Sequence, residues 1–382
     1  MTNKILNLAF ILLVTLTSCS LGSDISLSSS PTTNGQGNSG NQNQPGVITA
    51  GEWNDLENWS FWETIIGKDG FKSMPSHWTF FNNNRITVNV VGPDSIPIIN
   101  ALVRLKRDGA TIFSARTDNK GKVELWADIY QNNSNIDYSK LVIDINNGLS
   151  VISSVKSHKE GINKVVLSPK AVDNKIEISF VVDATGSMSD ELEYLKTELL
   201  DVISRVKTAN PNSLVSTSSV FYRDKGDTYV TKISSFTNDN NITTNFIKNQ
   251  SADGGGDIPE AVHSALDKAV NELQWSTNAK TRLLFLLLDA PPHHNNTVIS
   301  NIQTSILKAS EKGIKIIPIT ASGIDKETEF FMRFLSISTN GTYVFITDHS
   351  GIGNSHLEPT VGQYQVEFLN NLMVRLINKY AE

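Results

Sequence analysis

The stretch that decides the reading runs from Lys175 to Ser189, KIEISFVVDATGSMS. Its first half, Ile176 to Val182, is an apolar run rich in β-branched residues, the composition of a strand covered on both faces. It ends on Asp183. A short turn containing Gly186 then leads into SDELEYLKTELLDVISRVKTA (189–209), which is helical by spacing and propensity. A buried strand, a turn and an amphipathic helix make the repeating unit of a parallel sheet.

The same alternation continues to the C-terminus. LVSTSSVFYRD (214–224) and TYVTKISSF (228–236) read as strands, IPEAVHSALDKAVNEL (258–273) as a helix and TRLLFLLLDA (281–290) as a second continuous apolar strand. A helix over 296–313 ending at Gly313 follows, then strand IKIIPIT, helix KETEFFMRFLSIST, strand TYVFIT and a last helix near 365–380. The expected fold class is therefore α/β, a doubly wound, mostly parallel sheet over 171–382. Upstream, residues 83–170 carry short alternating runs such as RITVNVV and ALVRLKRDG, with an Asp118-Asn119-Lys120-Gly121 turn, and predict a small all-β sandwich.

Residues 51–82 are rich in tryptophan. Trp53, Leu56, Trp59 and Trp62 recur at spacings of three, which suits one face of a short helix docking on a neighbouring domain. A sugar-binding or partner-binding aromatic platform is the other reading of that stripe. Residues 19–50 are mostly Ser, Asn, Gly, Gln and Thr, too polar to offset chain entropy, and predict a disordered tether. Residues 1–18 pair Lys4 with an apolar run from Ile5 to Leu16, the pattern of an export signal.

The 382 residues are 39% hydrophobic and 19% charged, enough for a sizeable core and about two folded domains. The net charge of −6 argues against nucleic acid, whose binding runs on Lys and Arg. No apolar run is long enough for a membrane-spanning helix. Cys19 is the single cysteine, so no internal disulfide is available to it.

In an open parallel sheet, ligands gather beyond the carboxyl ends of the strands, where the winding reverses. Two strands end there in aspartate, at Asp183 and Asp289. Two carboxylates at one edge of a buried sheet make best sense with a cation between them. Thr185 and Ser187 add hydroxyl oxygens at alternate positions, and a set of hard oxygen donors suits Mg²⁺, Ca²⁺ or Mn²⁺. SADGGGDIPEAV (251–262) supplies a third loop, with Asp257 placed to open a helix, Pro259 in its first turn and Asp253 nearby. Blander uses exist for each residue: Asp257 as a helix cap, Ser187 with Asp190 as a capping box, Asp183 as the start of a turn. His293 and His294 read as a solvated loop, and Arg223 with Asp224 as a local ion pair at the rim. No nucleophile with a general base and no phosphate-cradling loop emerges.

The segment DATGSMS resembles the Asp-x-Ser-x-Ser signature of von Willebrand factor type A domains, with Thr185 for the first serine. GGGDIPEA and LLDAPPHH resemble later loops of a bacterial branch of that family. The resemblance covers residues 175–382. It implies a metal-ion-dependent adhesion site formed by Asp183, Thr185, Ser187, Asp257 and Asp289, where many members have threonine in place of Asp257. A third carboxylate neutralises the ion more fully, which implies weaker capture of a partner's acidic side chain. PIINALVRLKRDG and TDNKGKVEL resemble carboxypeptidase-regulatory-like domains. LTSC (16–19) resembles the lipobox of bacterial lipoproteins and implies a diacylated Cys19 holding the protein on a membrane of the cell envelope, expected to be the outer membrane.

The expected function is therefore that of a lipid-anchored binding protein, not an enzyme, taking a protein partner through a divalent cation. A metal-dependent hydrolase using the same carboxylates, with His293 or His294 as acid–base, is the alternative. A structural subunit for a motor ATPase conflicts with export.

Overall fold

A computed structural model describes residues 44–256 and 258–382. The export signal, the lipobox with Cys19, most of the tether and Asp257 lie outside the described residues. The chain opens with strand β1 (Thr49–Trp53), helix α1 (Trp59–Ile65) and the short helix α2 (Met74–Trp78). Strands β2 (Arg85–Val91), β3 (Leu102–Arg107), β4 (Ala110–Arg116), β5 (Lys122–Trp126), β6 (Leu141–Ile145), β7 (Ser150–Ile152) and β8 (Asn163–Val166) follow. Next come β9 (Asp173–Asp183), α3 (Leu192–Ala209), β10 (Leu214–Tyr222), β11 (Thr231–Thr237), α4 (Asn240–Lys248) and α5 (Val262–Asp267). The last part holds β12 (Ala279–Leu288), α6 (Asn296–Lys312), β13 (Ile314–Thr320), α7 (Lys326–Ser338), β14 (Tyr343–Ile346), β15 (Glu367–Phe368) and α8 (Leu369–Ala381).

The main sheet has the order β11-β10-β9-β12-β13-β14-β1-β15. Its centre is parallel from β10 to β14; β11 and β1 run antiparallel to it on the two sides, and β15 pairs antiparallel with β1. Alternation explains why the continuous apolar runs are needed. Leu283, Phe285 and Leu287 of β12 face the layer of α3 and α8, while Leu284, Leu286 and Leu288 face the opposite layer with α5, α6 and α7. Helix ends follow ordinary capping chemistry. Asn295 accepts from the Val298 N–H at 3.1 Å and Asp325 from the Thr328 N–H at 2.8 Å, while Gly313 ends α6 at a φ of 72°.

Two sequence expectations need correction at the N-terminal side. The disordered tether does not extend to residue 50: Ile48 and Ala50 are fully buried, and the Glu198 carboxylate on α3 accepts from the backbone N–H groups of Gly46, Val47 and Ile48. The helical stripe does not begin at Trp53 either, because Trp53 ends β1, which pairs Ala50 with Ile346 and Trp53 with Tyr343. TAGEW is too short and too poor in apolar residues to announce a strand, and its place is set by the β14 edge it completes. The 171–382 domain thus borrows a strand from upstream, and the sandwich is an insertion between β1 and β9.

That insertion consists of a three-stranded sheet, β5-β2-β8, and a four-stranded sheet, β4-β3-β6-β7. The turn at 118–121 does not close a hairpin: β4 pairs with β3 and β5 with β2, so the turn carries the chain from one sheet to the other. Gly121 sits at a φ of 69° there, and a Cβ on it would lie 2.3 Å from the Val90 carbonyl oxygen. The Trp-rich segment packs inward on α7. Trp62 stacks on Phe330 with centroids 6.0 Å apart, and Phe80 stacks on Phe334 at 4.4 Å. Each ring so buried contributes roughly 3 kcal/mol. No helix among the described residues is long and apolar enough to cross a membrane.

Candidate functional site

Strand β9 lies between β10 and β12, where the winding reverses. The register sets Asp183 beside Tyr222 at the end of β10 and Val182 beside Leu287, so Asp289 follows one step beyond the end of β12. Three loops close over these strand ends and are laced by backbone hydrogen bonds. The Ala184 carbonyl accepts from the Asp253 N–H at 3.1 Å, and the Gly254 carbonyl from the Gly186 N–H at 3.0 Å. The Pro291 carbonyl accepts from the Glu260 N–H at 3.0 Å, which ties in the loop after β12.

Asp183 is fully buried. Its Oδ1 accepts from the Thr185 N–H at 2.9 Å and the Thr185 hydroxyl at 2.7 Å. Its Oδ2 is buried beside Tyr222 with no hydrogen-bond partner among the described residues, and so is Oδ1 of Asp289. The Thr185 and Ser187 hydroxyl oxygens stand 3.1 Å apart, which brings four of the expected site residues to one place. The fifth, Asp257, lies outside the described residues. Burial and the charge of Asp289 push the Asp183 carboxyl up to about 7 against the hydrogen bonds from Thr185. Burial pushes Asp289 up to about 6, offset in part by the Ser187 hydroxyl.

The glycines of 254–256 have a steric role here. Gly255, at a φ of 65°, leaves room where a Cβ would come within 2.7 Å of Glu260 Oε1 and 2.8 Å of Thr185 Cβ. Glu260 is the residue that sequence reasoning missed, because EAV after a proline reads as the solvated start of a helix. Instead it is 2% exposed, and its Oε2 has no partner among the described residues. Burial, followed by the charges of Asp183, Asp224 and Asp289, pushes it up to about 8.

Other local expectations are corrected. Helix α5 begins at Val262 with Ala261 at its N-cap, so Pro259 is not in its first turn. Gly186–Asp190 forms a single 3₁₀ stretch, and α3 starts at Leu192 without a side-chain cap, so Ser187 and Asp190 make no capping box. Arg223 and Asp224 do not pair. The Arg223 guanidinium turns to the carbonyls of Ala184 and Ser251 and to Asp253 at 3.2 Å, whereas Asp224 holds His293 at 2.7 Å. His294 stacks on His77 with ring centroids 3.7 Å apart.

Among the described residues, no three Asp, Glu, His or Cys side chains form a metal cluster by themselves. The donor set at the strand ends is two carboxylates with two hydroxyls. The two orphaned carboxylate oxygens are what a hard divalent ion would satisfy, so these residues fit such a group.

Fold and site together define an α/β protein with an acidic, oxygen-rich pocket at the switch point of a doubly wound sheet. Residues 177–353 match the family model of the von Willebrand factor A domain. It is 29% identical over 137 residues to an ariadne-like RING finger protein of Acanthamoeba polyphaga mimivirus, covering 35% of this chain and 13% of that protein. It is 23% identical over 175 residues to the alpha-protein kinase vwkA of Dictyostelium discoideum, covering 45% and 27%. The chain thus spans little more than a quarter of either relative's length at most. Among solved structures, BatB of Bacteroides thetaiotaomicron aligns with a TM-score of 0.38 and 13% identity over 54% of this chain and 98% of that one. An aerotolerance-related membrane protein of Bacteroides fragilis aligns at 0.36 and 14%, over 53% and 99%.

Proposed function

We propose that this chain is a binding protein, not an enzyme, that holds Mg²⁺, Mn²⁺ or Ca²⁺ at the strand ends and uses it to take an oxygen of a protein partner. Asp183, Thr185, Ser187 and Asp289 would hold the ion directly or through water, with Asp257 supplying a further carboxylate from the adjoining loop. The ion would supply a positive centre with a coordination position for the partner. The observation that carries the reading is the pair of buried oxygens, Asp183 Oδ2 and Asp289 Oδ1, that have no partner among the described residues and sit at neighbouring strand ends. Leaving two such groups unsatisfied costs several kcal/mol, and one divalent ion satisfies both. The chain's own residues do the positioning: Thr185 fixes the Asp183 carboxylate, and the glycine turn keeps the third loop close.

The anchoring part of the proposal rests on LTSC and Cys19 in the sequence alone. A diacylated Cys19 and a polar tether would present the binding face away from an envelope membrane, the outer one in this reading. No role for nucleic acid is proposed.

The test is affinity capture from native membranes by the full chain in Mg²⁺ and in chelator. A partner should be held in Mg²⁺, released by chelator and missed by the Asp183→Ala/Asp289→Ala variant. Identical captures in all three conditions would contradict the reading. The Asp224–His293 bond favours a second reading, because an imidazole oriented by a carboxylate at the same lip is what a metal-dependent hydrolase needs. Metal-dependent turnover lost in His293→Ala would select it.

A further inference from the structure

The rim of the strand-end site carries more negative charge than a bound ion balances. Four loops make that rim: residues 183–190, 223–230, 250–260 and 289–294. By sequence they hold two, two, three and one carboxylates, against Arg223 and Lys225 as basic side chains, with His293 and His294 counted as neutral. One divalent ion balances two of the eight. Arg223 answers Asp253 at 3.2 Å, and Lys225 can answer one more. Four negative charges are left over when all are ionised.

The geometry gathers these charges where a partner can meet them. Ser187 is exposed, so the site opens to solvent beside Asp190. Asp190 is exposed as well and accepts from a neutral amide, Asn354 Nδ2 at 2.9 Å. Asp227 Oδ2 accepts from the backbone N–H groups of Asp224 and Gly255, each at 3.0 Å, and so lies against the glycine turn that touches Thr185. The Asp253 side chain is 71% exposed. Its partner Arg223 is 5% exposed and gives its other donors to the Ala184 and Ser251 carbonyls and the Thr228 hydroxyl, so this cation faces inward. Glu260 is an independent sign that the site is short of cations. It is 2% exposed, its Oε1 stands against Gly255, and its Oε2 has no partner among the described residues.

The sign of this charge decides what a partner can bring. A partner carboxylate would add to the excess and meet the repulsion of the rim on its way to the ion. A backbone carbonyl or a hydroxyl oxygen completes the shell of a hard cation without adding charge. Lysine or arginine beside that oxygen would pair with Asp190 and Asp253. Ile258, 73% exposed on the same lip, gives their methylene stems an apolar surface.

We propose that the strand-end site docks a cationic segment of a protein, rich in lysine or arginine, which offers the ion a neutral oxygen. The inference rests on the cation site proposed above and adds the class of partner to it.

The experiment titrates the Mn²⁺-loaded full chain with three fluorescent nonapeptides of alternating lysine–serine, glutamate–serine and glycine–serine, at about 50 mM salt. The lysine peptide should bind with a Kd between roughly 10 μM and 1 mM, and the other two at least about tenfold more weakly. Asp190→Asn with Asp253→Asn, at two exposed positions outside the proposed ligands, should weaken it about tenfold and leave the number of bound Mn²⁺ ions unchanged. Chelator should weaken it too. Tighter binding in chelator would mark simple attraction to a bare acidic face and overturn the proposal. Preference for the glutamate peptide, or equal binding by the double variant, would overturn it as well. Counting Mn²⁺ in the same samples separates the two readings. No bound ion removes the cation site and this inference with it, whereas a bound ion with the glutamate peptide preferred removes this inference alone.

Discussion

Arg333 and Asp55, 278 positions apart in the chain, form a two-pronged ion pair (3.0 and 2.5 Å) in which neither side chain reaches the surface. The remaining guanidinium nitrogen bonds Glu329 at 3.1 Å and the Thr360 carbonyl at 2.6 Å. One arginine on α7 therefore fastens the segment that follows β1 and the loop that precedes β15. Burial outweighs the pull of Arg333 and leaves the Asp55 carboxyl above the ordinary carboxylate range.

Asp55→Ala should destabilise the protein by about 3–5 kcal/mol, because it leaves a buried guanidinium short of a counter-charge. Urea unfolding would measure it. Asp55→Leu with Arg333→Met and Glu329→Gln should recover much of that loss, since buried ion pairs are often no better than apolar or neutral packing of similar volume. A single variant within about 0.5 kcal/mol of wild type would show that the pair does not fasten the segment.

A pH dependence is expected in the loop after β14. The His356 side chain, 3% exposed, lies between Glu191 at 3.0 Å and Asp348 at 2.8 Å. Burial opposes its charge, but the hydrogen bonds to the two carboxylates outweigh burial and raise it above 6.5. A raised histidine stabilises fully below its unfolded pKa, and that share is lost as pH rises through the folded value. Asp348 is lowered by the backbone and side-chain bonds from His356, so its share is lost as pH falls below 3.8. Hydrogen exchange should show residues 348–356 best protected between about pH 4 and 6.5. His356→Gln should cost about 2 kcal/mol at pH 5.5 and less at pH 9. Protection that rises from pH 6.5 to 9 would contradict this.

Gly255→Ala tests the glycine turn without altering any expected ligand. The added methyl must displace Glu260 or Thr185, and the φ of 65° is unfavourable for alanine. A loss of stability of about 1–2 kcal/mol and a fall in cation affinity of about tenfold or more are expected. Thermal melts and metal titration would measure both, and unchanged cation affinity would show that the third loop does not shape the site.

The central sheet was legible in the sequence because strands covered on both faces must be continuously apolar. Leu283–Leu288 is continuously apolar, and Ile176–Val182 is so apart from Glu177 and Ser179, which are buried as well. Strand β1 was not legible, since TAGEW owes its place to the β14 edge and to Glu198, contacts that carry no local signal. The turn at 118–121 was legible because its residues favour a turn, but turn chemistry does not say which sheet the next strand joins. Asp183, Thr185, Ser187 and Asp289 were readable from their place at the ends of apolar strands. Glu260 was not, because only the fold brings it, like Thr185, beside Gly255.

The central claim is that a divalent ion belongs between Asp183 and Asp289. Titrating Mn²⁺ into the full chain, with free ion counted by electron paramagnetic resonance, tests it most directly. One ion per chain is expected, displaced by excess Mg²⁺, with affinity reduced by about a hundredfold or more in Asp289→Asn. Wild-type chain that leaves all the Mn²⁺ free, or an Asp289→Asn variant that binds it as tightly, would contradict the account.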